Sequence, residues 1–338
     1  MVTAVCKVSS APHGIAAADR PTCAYPIRRE TVMPAPIPRQ RTLLASAIVA
    51  FTLAVTSRGA FAAAGFDPPP IANAPTMEHH IGKVIWAELV TPDVAAAKLF
   101  YAALFGWAFQ DIYAGGTRYA LARQDGVPVA GIVQNGIRRG ARRQPAWLTF
   151  IAVQDVDVTV ANAVGVGGTL IQPPRTYQAR GRQAILADPQ GAVFAVMASF
   201  TDDPVDALAP PGTWIWSSLL ARDASGDAAF YQSLFGYDVF DLESEDGQEH
   251  VILSTDDYAR AGVNSLPADN VARHPRWLQF VRVADANAAA MLAVQLGGSV
   301  LVAPHVDRHG DRLAVLADPS GAAVGVMEWI AADTGELP

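Results

Sequence analysis

Residues 86–107 read WAELVTPDVAAAKLFYAALFGW, and residues 216–237 read WSSLLARDASGDAAFYQSLFGY. Both run from a Trp through a Leu to an Asp, then to Phe-Tyr, then to Leu-Phe-Gly and a closing aromatic. The two copies lie 130 residues apart. The same offset relates Trp147-Leu148 to Trp277-Leu278, Gly167-Gly168 to Gly297-Gly298, and Ala187-Asp188-Pro189-Gln190-Gly191 to Ala317-Asp318-Pro319-Ser320-Gly321. A constant offset over so many landmarks is the signature of a tandem duplication. The joint falls near 201–213, where Pro204, Pro210, Pro211 and Gly212 gather.

Each copy is doubled again. A short strand opening at a Trp leads to an Asp, an amphipathic helix ending in Gly, and three further strands. Trp86 and Trp147 open such units, as do Trp216 and Trp277. In the first helix Thr91 is placed as N-cap with Pro92 at the first helical position and Gly106 past the end. Ala97, Phe100, Tyr101 and Leu104 then share one apolar face. Asp155 to Gly165 and Asp285 to Gly297 read as the second helix of each copy. Stretches such as Tyr119–Arg123, Val127–Val133, Gln183–Leu186 and Ala192–Met197 read as strands. Asp188-Pro189-Gln190-Gly191 has the residues of a type I turn. The repeating unit is βαβββ, four times over.

The N-terminal part has a different character. Arg39 and Arg41 precede the uncharged run Leu43–Thr56, which is followed by Ala60-Phe61-Ala62. A basic region, a short apolar core and an A-x-A site describe a secretory signal peptide with cleavage after Ala62. The apolar run is shorter than the roughly 20 residues a membrane-spanning helix requires. Met1 and Met33 both stand as candidate starts. Residues 1–62 are therefore expected to be a signal peptide or extension and 63–80 a Pro-rich linker. Residues 81–200 are then the first domain, 201–213 a second linker and 214–331 the second domain. An exported, periplasmic or secreted location follows, with no stable membrane insertion after cleavage.

The whole chain of 338 residues carries a formal charge of −7, is 51% hydrophobic and has a mean hydropathy of +0.20. Residues 1–62 hold seven of the 25 basic residues and two of the 32 acidic ones, so residues 63–338 stand at −12. Such an acidic body argues against nucleic acid as a partner. Both cysteines, Cys6 and Cys23, lie in the leader, so the processed chain has no thiol for a disulfide or a Cys–metal site.

The paired helix exits (FY-x₂-LFG followed by Trp or Tyr) and the paired ADPxGA turns resemble those of the vicinal oxygen chelate superfamily, the glyoxalase, bleomycin-resistance and extradiol-dioxygenase proteins. More narrowly, the chain is similar to tandem two-domain glyoxalase-like members. The resemblance spans about Gly82 to Ile330. It implies an α+β protein of two tandem domains, each of two βαβββ modules forming a cupped mixed sheet around a cavity. It also implies a small-molecule ligand. Duplication within one chain supplies the domain pairing that single-domain relatives obtain by dimerising, which is consistent with a monomer.

Metal-dependent members carry His, Glu or Gln on the first strand of each module and near the last. The matching positions here are Trp86, Leu148 and Ala195 in the first domain and Trp216, Leu278 and Gly325 in the second. None offers an oxygen or imidazole ligand. No metal and no other cofactor is therefore expected. The reading is a protein that binds or transforms a small organic molecule without the usual metal ligands. A metal-dependent lyase or isomerase of the glyoxalase type and a non-catalytic sequestering protein of the bleomycin-resistance type stand as alternatives.

Strand alternation puts Glu88 on the same side as Trp86. Glu88 is the candidate acid–base, or a carboxylate satisfied by neighbouring groups. Trp86, Trp147 and Phe150 are the candidate substrate wall in the first domain. His250, aligned with Ala120 by the 130-residue offset, joins Phe280 and Arg282 in the second. Arg282 either clamps an anionic group or reaches the rim. His305 and His309, with Asp307 and Asp311, form H-x-D-x-H on an expected exposed loop. His79-His80 is expected to face solvent, and Arg138, Arg139, Arg142 and Arg143 form a basic patch.

Overall fold

A computed structural model describes residues 66–134, 144–242, 249–266, 274–307 and 310–329. Residues 1–65 with both cysteines and the expected signal peptide, the Arg138–Arg143 patch and His309 lie outside the described residues.

The first domain runs β1 (Val84–Thr91), α1 (Val94–Phe105), β2 (Ala108–Ala114), β3 (Thr117–Gln124) and β4 (Val127–Gln134). It continues with β5 (Ala146–Ala152), α2 (Val156–Gly165), β6 (Thr169–Tyr177), β7 (Gly181–Ala187) and β8 (Val193–Ser199). The second repeats the order: β9 (Trp214–Ala221), α3 (Ala224–Phe235), β10 (Asp238–Leu242), β11 (His250–Thr255), β12 (Tyr258–Ser265), β13 (Arg276–Arg282), α4 (Ala286–Gln295), β14 (Ser299–Val306), β15 (Arg312–Ala317) and β16 (Ala323–Glu328). Each domain is one eight-stranded mixed sheet, ordered β2-β3-β4-β1-β5-β8-β7-β6 and β10-β11-β12-β9-β13-β16-β15-β14. Within a module the first strand pairs in parallel with the last, as β1 does with β4. The two first strands, β1 and β5, meet antiparallel at the centre. That is the expected pair of βαβββ modules in each domain.

The helices start at aspartates. Asp93, Asp155, Asp223 and Asp285 each turn a carboxylate onto the free N–H groups of the first turn. α1 thus begins two residues later than the Thr91–Pro92 reading, because Thr91 still belongs to β1 and the Asp93 side chain reaches the Ala96 N–H. Gly106 and Gly236 end α1 and α3 with φ of +77° and +70°, a left-handed cap that suits a residue without Cβ.

One continuous core lies between the two sheets and takes in helices from both domains. α1 packs on α4, and α2 on α3. The Phe-Tyr motif and the Asp-Pro turn meet here across the domain boundary. Tyr101 donates to Asp318 Oδ2 at 3.2 Å, and Tyr231 donates to Asp188 Oδ2 at 3.1 Å. Trp147 Nε1 donates to the Tyr101 oxygen at 3.0 Å, as Trp277 Nε1 does to Tyr231 at 2.9 Å. Inside each turn the other oxygen, Oδ1, binds the backbone N–H groups two and four residues on, as Asp188 does with Gln190 and Ala192. The duplicated motifs are thus the two halves of a pseudo-symmetric clasp. Trp214 Nε1 to the Val129 carbonyl (2.8 Å) and Gln279 Nε2 to Thr149 Oγ1 (2.7 Å) add further bonds between the domains.

Asp227, which takes the place of Ala97 in α3, is buried beside Asp188 with Oδ2 lacking a partner among the described residues. Burial, then the nearby Asp188 charge, pushes its carboxyl up to about 7.

Candidate functional site

The faces of the two sheets away from this shared core form two smaller apolar clusters, one per domain. In the first domain the alternation of β1 and β5 turns Trp86, Leu148, Phe150 and Ala152 onto the cup, joined by Tyr119 from β3 and by Ala195 and Met197 from β8. Trp147 goes the other way. It lies in the shared core, 5.0 Å between ring centroids from Trp214, and is not a cup residue. The reason is the period of two: opposite Trp86 stands Phe150, so Trp147 must face the back.

Glu88 does reach the cup, where it is 2% exposed. Its Oε1 accepts from Tyr119 Oη at 2.8 Å, from Trp86 Nε1 at 3.4 Å and from Arg180 Nη1 in a short ion pair. Arg180 Nη2 donates to the Tyr119 oxygen at 2.8 Å, and its guanidinium lies 5.3 Å from the Trp86 ring. Burial opposes the charge on Arg180, yet the Tyr119 and Glu88 oxygens hold the guanidinium protonated. Burial drives the Tyr119 hydroxyl well above its ordinary range, so it remains a neutral donor. One carboxylate oxygen is thus taken up by an arginine and two further donors. Of the two readings of Glu88, the geometry matches the carboxylate satisfied by neighbouring groups.

Arg180 was not singled out by sequence. Its signal was there: the 130-residue offset places Arg180 opposite Gly310 and Glu88 opposite Ser218, so both members of the ion pair occur in one copy only. The third position needs a correction. Glu88 pairs with Gly131 and Ser218 with Gly262, and Tyr119 pairs with Val133 as His250 does with Asn264. Strands β11 and β12 are therefore offset by 131, and His250 stands where Tyr119 does, not Ala120. One extra residue between β10 and β11 shifts the register, and one fewer before Trp277 restores it.

The first cup is nearly full. The start of the Pro-rich linker lies on it, with Phe66, Pro68 and Ile71 buried. The Phe66 ring sits 5.3 Å from that of Tyr119, and the Pro69 carbonyl accepts from Arg180 Nε at 2.8 Å. What remains is a cavity of about 10 Å³, the room one water needs, bordered by Glu88, Tyr119, Tyr177 and Gln183. Gln183 is 4% exposed, and its Oε1 has no partner among the described residues.

In the second cup Phe280 is buried with Ile215, Leu278 and Met327. Trp216 is half-buried and donates to Ser218 Oγ at 3.1 Å, while His250 Nδ1 meets Asn264 Oδ1 at 2.7 Å. Arg282 donates to the carbonyls of Ala209 in the interdomain segment (2.8 Å) and of Trp329 just past β16 (3.2 Å). His80 is half-buried and meets Asp206 and Glu78, against the solvent-facing expectation, while His79 is exposed. His305 is exposed but lies within β14, one residue before its end, rather than on a loop.

The model of the family described as "Glyoxalase-like domain" matches residues 86–197 and again residues 217–327. The chain belongs to the glyoxalase-like domain family. "Putative glyoxylase CFP32" of Mycobacterium tuberculosis is 33% identical over 253 residues, covering 74% of this chain and 96% of that protein. "Anthracycline biosynthesis protein DauV" of Streptomyces sp. (strain C5) is 33% identical over 261 residues, covering 73% and 93%. Among solved structures, the Mn(II)-bound glyoxalase from Novosphingobium aromaticivorans superimposes with a TM-score of 0.53 at 14% identity, covering 74% of this chain and 83% of that one. The 2,3-dioxygenase LapB from Pseudomonas sp. KL28 gives 0.52 at 12%, covering 74% and 93%. This glyoxalase-like chain therefore has the vicinal oxygen chelate fold.

A divalent ion, which the fold family implies, does not fit the donors present. The first cup sets an indole, an isobutyl and a methyl group at Trp86, Leu148 and Ala195, and the nearby Glu88 is held by a cation. In the second cup a Cβ at Gly325 would come within 2.2 Å of the Phe280 ring, so no ligating side chain enters there without moving it.

Proposed function

We propose that this glyoxalase-like protein is exported and holds a small, uncharged organic molecule in the cup of its first domain without a bound divalent ion. One observation carries the reading: Arg180 neutralises Glu88 at the floor while Gln183, buried beside it, keeps an unpaired acceptor toward the remaining space. A buried acceptor without a partner costs on the order of 1–3 kcal/mol, which a donor on a bound molecule or a water would recover. With its carboxylate committed, the cup favours retention of a molecule over proton transfer. The relatives' names, one a glyoxylase and the other an anthracycline biosynthesis protein, leave the guest's identity to experiment.

The test is a thermal-shift and tryptophan-fluorescence screen of uncharged aromatic and carbonyl compounds, run after dialysis against EDTA. Binding that persists without metal supports the reading. Binding or turnover that vanishes on chelation and returns with Mn²⁺, Zn²⁺ or Ni²⁺ sinks it in favour of a metal-dependent lyase or isomerase. Export is tested separately: N-terminal sequencing of protein recovered outside the cytoplasm should begin at Ala63.

A further inference from the structure

We propose that residues 66–71 are a built-in stand-in for the guest, a strap that must leave before the first cup fills. We further propose that the molecule replacing it is an uncharged aromatic compound bearing a carbonyl. The inference rests on the reading of that cup as a small-molecule site. Residues 66–71 have no helix or strand hydrogen bonding of their own, yet Phe66, Pro68 and Ile71 are buried against the cup. What they present is specific. Phe66 places an aromatic ring against Tyr119, and Pro69 places a carbonyl oxygen on Arg180 Nε. Arg180 turns Nη1 to Glu88 and Nη2 to Tyr119, so Nε is the donor released to an incoming molecule when the Pro69 carbonyl leaves. A ring and an acceptor in those two places define the class of compound that competes. A hydroxyl or N–H on the same compound would also satisfy Gln183 Oε1.

The strap is anchored lightly. Beyond its apolar contacts and the Pro69 bond, Asp67 Oδ2 accepts from the Ala179 N–H at 3.2 Å. Asn73, just beyond it, is fixed to Gly126 and Arg123 and provides a hinge point. Cleavage after Ala62 would make Phe66 the fourth residue of the processed chain, free to swing out without threading. Tethering gives the strap a high effective concentration, so a guest's apparent affinity is its intrinsic affinity multiplied by the fraction of time the strap is away. Leader removal and guest binding would then be linked through one short segment.

The experiment uses the chain beginning at Ala63 and two variants of it, Phe66→Ser/Ile71→Ser and the milder Asp67→Ala. Probes are 9-fluorenone, its carbonyl-free counterpart fluorene, and a synthetic peptide of residues 63–73. Affinities are measured by tryptophan quenching, with circular dichroism to verify folding. Expected are at least tenfold tighter fluorenone binding by the double variant, a smaller gain for Asp67→Ala, and weaker binding of fluorene throughout. Hydrogen exchange at the Ala179 N–H, which the strap's Asp67 holds, should rise when fluorenone binds the Ala63 chain, and the peptide should bind the double variant. Equal fluorenone affinity in all three chains, with no change in exchange at Ala179, overturns the strap while leaving the cup reading intact. Failure of every chain to bind either fluorenone or the peptide overturns the cup reading itself. Peptide binding without fluorenone binding, or equal affinity for fluorene, overturns the carbonyl assignment.

Discussion

Replacing Arg180 with Met isolates the interaction on which the first cup is built. The Arg180 side chain is 0% exposed and that of Glu88 3%, so neither charge is solvated by bulk water. Arg180→Met keeps most of the stem's volume and removes the cation. It strands the Glu88 carboxylate with two neutral donors and takes one bond each from Tyr119 and from the Pro69 carbonyl. Breaking a buried pair from one side costs about 3–5 kcal/mol, chiefly because of the uncompensated charge left behind. At ~2–4 °C per kcal/mol for a chain of this size, the melting temperature should fall by roughly 6–20 °C. Adding Glu88→Gln should recover part of the loss, with a coupling of about 0.5–3 kcal/mol. Urea unfolding of the four members of this cycle, on the chain beginning at Ala63, measures it. A loss below about 1 kcal/mol for Arg180→Met, or a double variant no better than the single one, would refute the argument that the buried Arg180–Glu88 pair holds the first cup together.

Asp227 gives a pH signature of the domain interface. Its folded-state pKa of about 7 lies above the ordinary carboxyl value of 3.8, so the folded chain binds its proton more tightly than the unfolded chain does. Stability at this site therefore falls as pH rises from about 4 to about 7 and levels off above. Asp227→Asn should accordingly stabilise the protein at pH 8, by ~2–4 kcal/mol, and change little at pH 4, as read by denaturation at the two pH values. Gly131 and Gly262 are matched positions with different surroundings. A Cβ on Gly131 would fall 2.0 Å from Tyr119 Oη and 2.9 Å from Glu88 Cγ, whereas one on Gly262 would meet Trp216 at 3.4 Å. Gly131→Ala should cost about 1–3 kcal/mol in urea unfolding and Gly262→Ala well under half of that. Trp147→Ala should destabilise by ~3–5 kcal/mol and leave the affinity of the remaining folded protein for a cup ligand unchanged, while Phe150→Ala should alter that affinity. A Trp147→Ala protein that folds normally but loses binding would reverse the assignment of the two faces.

The repeat, the βαβββ unit, the Asp-Pro turns and the Gly helix exits were all legible in the chain because they depend on local chemistry and even spacing. The 130-residue offset revealed two related sheets, and alternation along β1 correctly set Trp86 and Glu88 side by side. Alternation also separated Trp147 from Phe150, although only the pairing of Phe150 with Trp86 says which of the two faces the cup. Arg180 and Glu88 are 92 positions apart and meet because β1 and the β6–β7 hairpin belong to one curved sheet. Nothing in strand periodicity gives that distance. The register change that aligns His250 with Tyr119 is concealed from a landmark search because the extra residue is compensated before the next Trp.

By itself, then, the sequence determined a duplicated glyoxalase-like fold whose usual metal positions hold Trp, Leu, Ala and Gly, since identity at a repeat position survives without coordinates. The tertiary structure decided what those positions face. It brought an arginine onto the one candidate base, locked the Tyr and Asp motifs of the two copies into a shared clasp, and laid the Pro-rich segment over the cup. Those outcomes are contacts between residues far apart in the chain, fixed by how the sheets curve and pack.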